Sequence, residues 1–155
     1  MGKKYSFTEN TRVVFGITLK QIRAEASFGS VAKGDIGGWI EKEENLSQVS
    51  GNAWVSGDAQ VSGDAQVSDN ARVYGNAWVY GDAWSITPLC IHATKFSVSV
   101  SSKTTISIGC ETHTVADWEK KGEEIGKRNG FTETEIEEYR LYVDICKKWM
   151  EIYCK

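Results

Sequence analysis

Between residues 49 and 84, apolar and polar positions repeat with a period of six. A valine opens every hexad, and the set is Val49, Val55, Val61, Val67, Val73 and Val79. An alanine holds the fifth position of every hexad, at Ala53, Ala59, Ala65, Ala71, Ala77 and Ala83. The third position is glycine in five hexads and Asp69 in the other, and the fourth is always Asn or Asp. A period this regular predicts a solenoid.

Each column of the repeat has a structural reason. Valine favours a short strand and points into a core, whereas alanine fits where the chain turns close to the axis. The Gly-Asn and Gly-Asp pairs supply the corner, because these residues accept positive φ and Asx side chains bond to nearby backbone. One hexad cannot bury its valine alone, so coils must stack at about the 4.8 Å strand spacing. The repeat therefore predicts a parallel β-helix.

The period argues against two other architectures. Calcium-binding β-rolls repeat every nine residues, so the aspartates are interpreted as corner residues and not as metal ligands. An amphipathic helix needs apolar spacing near 3.6, and the glycines of the repeat would break it.

The flanks extend the predicted β-helix domain over residues 1–110. Residues 1–48 are predicted to form N-terminal strands and an irregular cap, since an open solenoid end leaves strand edges unpaired. Residues 49–84 form the regular hexads. In 85–110, apolar residues such as Val98 and Ile106 alternate with Ser, Thr and Lys, which predicts irregular last coils or edge strands.

The last segment, 111–155, is predicted to be helical. Residues 115–128 and 133–153 form two helices separated by Gly130, and Thr132 with Glu135 matches a capping box. The second helix has a wide apolar face that must be buried on the β-helix or on a partner subunit. The predicted fold class is mainly β, a parallel β-helix of hexapeptide repeats with a C-terminal α-helical hairpin.

Several segments resemble known proteins. The repeat resembles the hexapeptide-repeat superfamily, which implies a left-handed β-helix with three hexads per triangular coil and a homotrimer. A closer resemblance, to bacteriophage and prophage hexapeptide-repeat proteins that carry a transferase label, covers nearly the whole chain. The segments that carry it are Gly34–Glu41, Glu44–Ser47, the Gly-Asn-Ala-Trp-Val repeats, Ile108–Cys110 and His113-Thr114.

A surface rich in aromatic residues is the main candidate binding site. The sixth hexad position is predicted to point outward, and with three hexads per coil Trp54 would lie beneath Arg72 and Trp78 beneath Phe96. Such a surface suits a trimer interface, a surface on which the C-terminal helices pack, or a recognition site. The candidate binding residues are Trp54, Arg72, Tyr74, Trp78, Tyr80, Trp84, His92, Lys95, Phe96 and His113.

The two histidines are the candidates for chemistry. His92 follows Cys90 by two residues and His113 follows Cys110 by three, and four such ligands would suit zinc. Neither spacing is a standard zinc pair, so buried thiols and hydrogen-bonded imidazoles are predicted, with no metal and no cofactor. A Cys-His nucleophilic pair would lack an orienting third group. An acyltransferase, which the resemblance allows, would use His92 or His113 as general base.

Net charge and hydropathy limit the classes of partner and the location that we expect for this protein. The formal net charge of −3 offers no basic stripe for nucleic acid. No apolar run is long enough for a membrane span or a secretory signal, so an intracellular location is expected. The resemblance to phage proteins implies that this is the cytoplasm of a bacterial host.

The preferred function is that of a non-enzymatic, trimeric phage-type binding protein. Its partner would be a host protein or a small ligand, and a counter-defence role by inhibition or sequestration follows from the resemblance. The alternatives are the acyltransferase and a structural or assembly module.

Overall fold

The structure, a computed structural model, describes residues 2–49 and 51–155. It divides into two compact units, Met1–Pro88 and Leu89–Lys155. The chain is mainly β with two helices at its C-terminal end, which confirms the predicted class at that level. The division falls after residue 88, whereas the sequence places the end of the β-helix domain at residue 110.

The first unit begins with a long hairpin. Strands β1 (Tyr5–Val14) and β2 (Ile17–Ala24) pair antiparallel around a turn at Phe15 and Gly16, both of which have positive φ. Strand β3 (Ile36–Ile40) then pairs antiparallel with β2. The hairpin thus covers an edge of β3 that would otherwise expose unpaired backbone groups.

Six two-residue strands follow, each beginning six residues after the previous one except the last, which begins after five. They are β4 (Trp54–Val55), β5 (Gln60–Val61), β6 (Gln66–Val67), β7 (Arg72–Val73), β8 (Trp78–Val79) and β9 (Ala83–Trp84). Strand β4 pairs in parallel with β7, β5 with β8 and β6 with β9, while β3 pairs in parallel with β5. Three hexads therefore separate paired strands, and Trp54 lies opposite Arg72 as the sequence predicts.

The repeat builds the core of this unit. The valines from Val55 to Val79 are at most 1% exposed, and the alanines from Ala53 to Ala77 are also buried. The first valine is an exception, because Val49 is 89% exposed. Its place is taken by Leu46, which bridges to Val67 in parallel and is 1% exposed.

The last hexad departs from the predicted orientation. Trp84 lies opposite Val67 and Ala83 opposite Gln66, so the pairing is one residue short of the eighteen that separate Trp54 from Arg72. Trp84 consequently enters the core at 1% exposure, and Ala83 is exposed. Trp54, at 3%, is buried as well. The prediction that the sixth position points outward is wrong at Trp84, which takes the core position opposite Val67, whereas Trp54 keeps the regular register and is covered by Phe28.

Close contact between coils explains a corner glycine. Gly63 has φ 61°, and a Cβ at this position would lie 2.5 Å from the carbonyl oxygen of Tyr80 in the next coil. A side chain would therefore meet both backbone strain and a clash. Asp69 replaces glycine at the equivalent position of its hexad with φ 54°, as Asp tolerates this conformation.

The second unit opens with an antiparallel meander. Its strands are β10 (Cys90–Ile91), β11 (Val98–Val100), β12 (Thr105–Ile108) and β13 (Glu111–Thr114), and each pairs with the next. The alternation in 85–110 does mark strands, but these are not coils of the solenoid. Short turns join β11 to β12 and β12 to β13, and such turns permit only antiparallel neighbours, since a parallel pair needs a long crossover.

Two helices complete the second unit with the predicted bounds. Helix α1 (Val115–Arg128) is capped by Thr114, whose side chain accepts from the amide of Asp117. Helix α2 (Glu133–Tyr153) begins with the predicted capping box of Thr132 and Glu135. In the described part of the chain, neither helix has the length and apolar character needed to cross a bilayer.

Replacing the buried tryptophan of the last coil tests the corrected register. Trp84→Ala is expected to destabilise the protein by about 3–5 kcal/mol, because it empties a core position. Tyr74→Ala, at a residue that is 53% exposed, serves as the control and should stay within about 0.5 kcal/mol of wild type. Urea unfolding followed by circular dichroism measures both, and equal effects would contradict the burial of Trp84.

Candidate functional site

A cavity of about 260 Å³ lies within the second unit. Its walls come from the segment before β11, the end of β12, both helices and the loop that joins the helices. The apolar wall residues are Phe96, Ile108, Trp118, Ile125, Phe131, Ile136, Tyr139 and Val143. The polar and charged ones are Cys110, Glu111, Glu119, Asn129, Arg140 and Asp144, and Gly122 and Gly126 complete the lining.

Three rings form one aromatic wall. Phe96 and Phe131 stack with centroids 5.9 Å apart, and Tyr139 meets Phe131 edge to face at 5.0 Å. The Tyr139 hydroxyl accepts from the amides of Phe96 at 2.6 Å and Lys95 at 3.1 Å, and donates to the carbonyl of Phe96 at 2.9 Å. One side chain of α2 thereby holds the strand-to-strand segment that carries Phe96.

Trp118 fixes the other helix. Its indole Nε1–H donates to the carbonyl oxygen of Ile106 in β12 at 2.7 Å, and the side chain is 7% exposed. The indole also contacts the His113 ring edge to face at 4.9 Å. The hydrogen bond ties the first turn of α1 to the sheet, and the indole forms part of the cavity wall.

Two glycines on α1 line the cavity but have different surroundings. A Cβ on Gly126 would lie 3.0 Å from Ile136, so this glycine permits close contact between the helices. A Cβ on Gly122 would have only Trp118 Cε3 nearby, at 3.9 Å, which is ordinary van der Waals contact. Glycine inside a helix costs about 1 kcal/mol relative to alanine. Packing therefore accounts for Gly126 and not for Gly122.

Every charged side chain on the lining has an oppositely charged partner in the chain. Glu111 lies 2.8 Å from Arg128, Glu119 lies 2.7 Å from Lys147, and Asp144 lies 3.2 Å from Lys148. Arg140 lies 3.0 Å from Glu123. The hydrogen bond with His113, with a further one from Arg128, lowers the pKa of Glu111. The charges on the lining are thus balanced pair by pair.

The predicted binding residues of the second unit have different positions. Phe96 lines the cavity, and Lys95 beside it places its Nζ 4.8 Å from the centre of the Phe131 ring. His113 is not a lining residue, and its Nε2 atom lies 2.7 Å from Oε2 of Glu111. His92 is exposed directly after β10. Of the predicted residues, Phe96 is the one that joins the cavity lining.

The predicted binding residues of the first unit differ in how far their side chains are exposed to solvent. Trp54 is buried against Phe28, with ring centroids 5.4 Å apart, and Arg72 donates to the Ser30 hydroxyl at 2.9 Å. Tyr74 is exposed, Tyr80 is half-buried and Trp84 is in the core. Trp78 stacks at 5.6 Å on Phe15, a hairpin residue that is 71% exposed and that the predicted set does not contain.

The cysteines and histidines are the residues that the sequence offers for metal binding or nucleophilic chemistry. Across 2–49 and 51–155, no group of three or more His, Cys, Asp or Glu side chains is placed to hold a metal ion. Burial raises the pKa of Cys146 to about 12 and also raises that of Cys90. Because the thiolate is the nucleophilic form, burial makes these two thiols less reactive than an exposed cysteine.

The helical wall residues are absent from the predicted binding set. Their sequence signal lies in the helical pattern itself, where Gly122 and Gly126 are spaced by one turn on the face that also carries Trp118 and Ile125. Glycine weakens a helix, so a repeated glycine on an apolar face indicates either close packing or open space. Contacts in the folded chain distinguish these two causes.

Comparison with known proteins supports the repeat and leaves the cavity unassigned. The family model described as the YdcK beta solenoid repeat matches residues 47–64 and 65–83. Each match spans about one coil of the parallel ladders, which agrees with a β-solenoid. A search of curated proteins finds no match to this chain.

Removing one hydroxyl tests how the aromatic wall is held. Tyr139→Phe leaves the backbone groups of Lys95 and Phe96 without their partner, and the expected loss is about 1–3 kcal/mol. Tyr142→Phe, which removes a hydroxyl bonded to the side chain of Glu138, should change stability less. Urea unfolding gives the stability, and faster amide exchange at Phe96 in Tyr139→Phe alone gives the location. Equal exchange in the two variants would contradict the assignment.

Proposed function

We propose that this protein is a non-enzymatic binding protein whose second unit holds a small molecule in the cavity between its helices and sheet. The observation that carries the proposal is the cavity itself, about 260 Å³ with predominantly apolar walls and a few polar groups. Concave, mostly apolar sites with a small number of placed polar groups are the usual form of ligand pockets.

The energetics of packing support a purpose for this space. The cavity is partly open to solvent, so its apolar walls contact water and forfeit burial that would stabilise the fold. The second unit keeps this volume open. Specific hydrogen bonds from Tyr139 and Trp118 to backbone groups hold its walls in place. A ligand that fills the cavity would recover this burial.

The wider setting is proposed on resemblance. The solenoid is assigned the left-handed sense and a homotrimeric assembly, and the protein a phage origin and action in the cytoplasm of a bacterial host. In that setting, binding would serve counter-defence, by sequestering a small molecule or by inhibiting a host protein. Exposed apolar side chains on the first unit, including Phe15 at 71% and Val13 at 68%, support a surface that another chain covers.

A fragment screen read by amide NMR tests the binding proposal. The full chain, labelled with ¹⁵N, is titrated with neutral, anionic and cationic compounds, both aromatic and aliphatic. At least one class is expected to shift the amides of Gly122, Gly126 and Asn129, which lie on the cavity lining, and to leave that of Gly34 in the first unit unchanged. His92→Ala should bind like wild type. Shifts at none of the three lining amides with any compound would refute the proposal.

Light scattering tests the proposed assembly. The wild-type chain is expected to have the mass of a trimer, and Trp78→Ala to lower that mass by removing an aromatic group from the proposed interface. Tyr153→Ala, at an exposed aromatic residue on the second unit, is the matched control and should remain trimeric. Circular dichroism establishes that both variants are folded. A wild-type monomer across the concentration range would exclude the trimer.

A further inference from the structure

The size of the cavity sets a first limit on its ligand. An apolar cavity of about 150 Å³ binds benzene in another protein. The present cavity, at about 260 Å³, is larger, so a two-ring molecule fits it better than a single ring. This step rests on the function proposed above.

The walls set a second limit. Phe96, Phe131 and Tyr139 present stacked and edge-to-face rings on one side, and Trp118 presents its indole on the α1 side. Aromatic pairs favour offset-stacked or edge-to-face contact beyond the burial of their area. A flat aromatic ligand would gain such contacts with the rings that line the cavity.

The charges set a third limit. Glu111, Glu119, Asp144 and Arg140 on the lining are each matched by a partner of opposite sign within the chain. A charged ligand would lose hydration without meeting an unmatched charge, and an uncompensated charge is costly to bury. A neutral polar group avoids this penalty and can donate to Oδ1 of Asn129, a lining residue whose Nδ2 donates to the carbonyl oxygen of Ile125 at 2.8 Å.

Gly122 provides the evidence that the space is kept open on the helix side. This residue is in the middle of α1 with ordinary helical backbone, and a Cβ there would meet nothing closer than 3.9 Å. Alanine would favour the helix more. Neither backbone conformation nor helix packing requires glycine at this position, unlike at Gly126, where Ile136 is 3.0 Å from the added atom. A larger side chain at residue 122 would therefore extend into the cavity.

We propose that the cavity of the second unit binds an uncharged, flat, two-ring aromatic molecule, and that Gly122 keeps open the part of the site that the rings occupy. The neutral polar group of the ligand lies toward Asn129. The balanced charges on the lining select against charged analogues of the same shape.

Three compounds with one ring system and different charge test the ligand class. 2-Naphthamide is neutral, 2-naphthoate is anionic and 2-naphthylmethylamine is cationic, and calorimetric titration of the full chain at pH 7 compares them. The amide is expected to bind at least tenfold more tightly than either charged compound, and cyclohexanecarboxamide to bind more weakly than 2-naphthamide. Tighter binding of a charged or aliphatic compound, with shifts at the Gly126 and Asn129 amides, would overturn this inference and leave the proposed function standing. Binding by no class of compound would overturn both.

Variants at residue 122 test the role assigned to the glycine. Gly122→Ala is expected to raise the melting temperature and to weaken 2-naphthamide binding severalfold, because it adds a methyl group to the cavity. Gly122→Leu should abolish binding, and Lys121→Leu adds the same side chain at the neighbouring exposed position as the control and should bind like wild type. If Gly122→Leu does not fold, Gly122→Ala decides the question. A stabilised Gly122→Ala that binds 2-naphthamide as wild type does would overturn the role of Gly122.

Discussion

The first unit depends on apolar side chains that are buried against the adjacent coil, with Val55 opposite Val73, Val61 opposite Val79 and Val67 opposite Trp84. A two-residue strand cannot exclude water from its own valine, and Val55, which is 0% exposed, lies opposite Val73 in the parallel ladder. Hydrogen bonds between coils accompany this contact, such as Ser56 N–H to the carbonyl of Val73 at 2.9 Å. Apolar burial and backbone pairing therefore reinforce each other along the stack, as is typical of solenoids.

The second unit is organised by a different kind of contact. Its helices are held by single aromatic side chains that reach backbone groups, with Trp118 bonded to Ile106 and Tyr139 bonded to Phe96. Directional bonds of this kind position two surfaces without requiring that the space between them be filled. The cavity can therefore persist beside well-ordered walls. The first unit is thus a continuous packed column, whereas the second is built around a cavity.

Balanced charge has a consequence for selectivity. The ion pairs around the cavity are exposed to solvent, and such pairs contribute little to stability. Under the proposed function these pairs matter more for recognition, because each carboxylate on the lining already has a cationic partner. On that proposal, aromatic area and shape are the main determinants of binding, and a side chain added at residue 122 would limit the room for the ligand.

The amino-acid sequence by itself determined the features that depend on local periodicity. The hexad period predicts the parallel ladders and the buried valines, and the capping box with Gly130 predicts the two helices to the residue. These signals work because each is carried by neighbours along the chain. Tertiary structure decided the rest, since a one-residue shortening places Trp84 in the core, short turns make β10 to β13 antiparallel, and contacts between distant segments leave open space beside Gly122. Whether a tryptophan faces inward, or a glycine faces a neighbour or a void, depends on atoms far away in sequence, which no local pattern records.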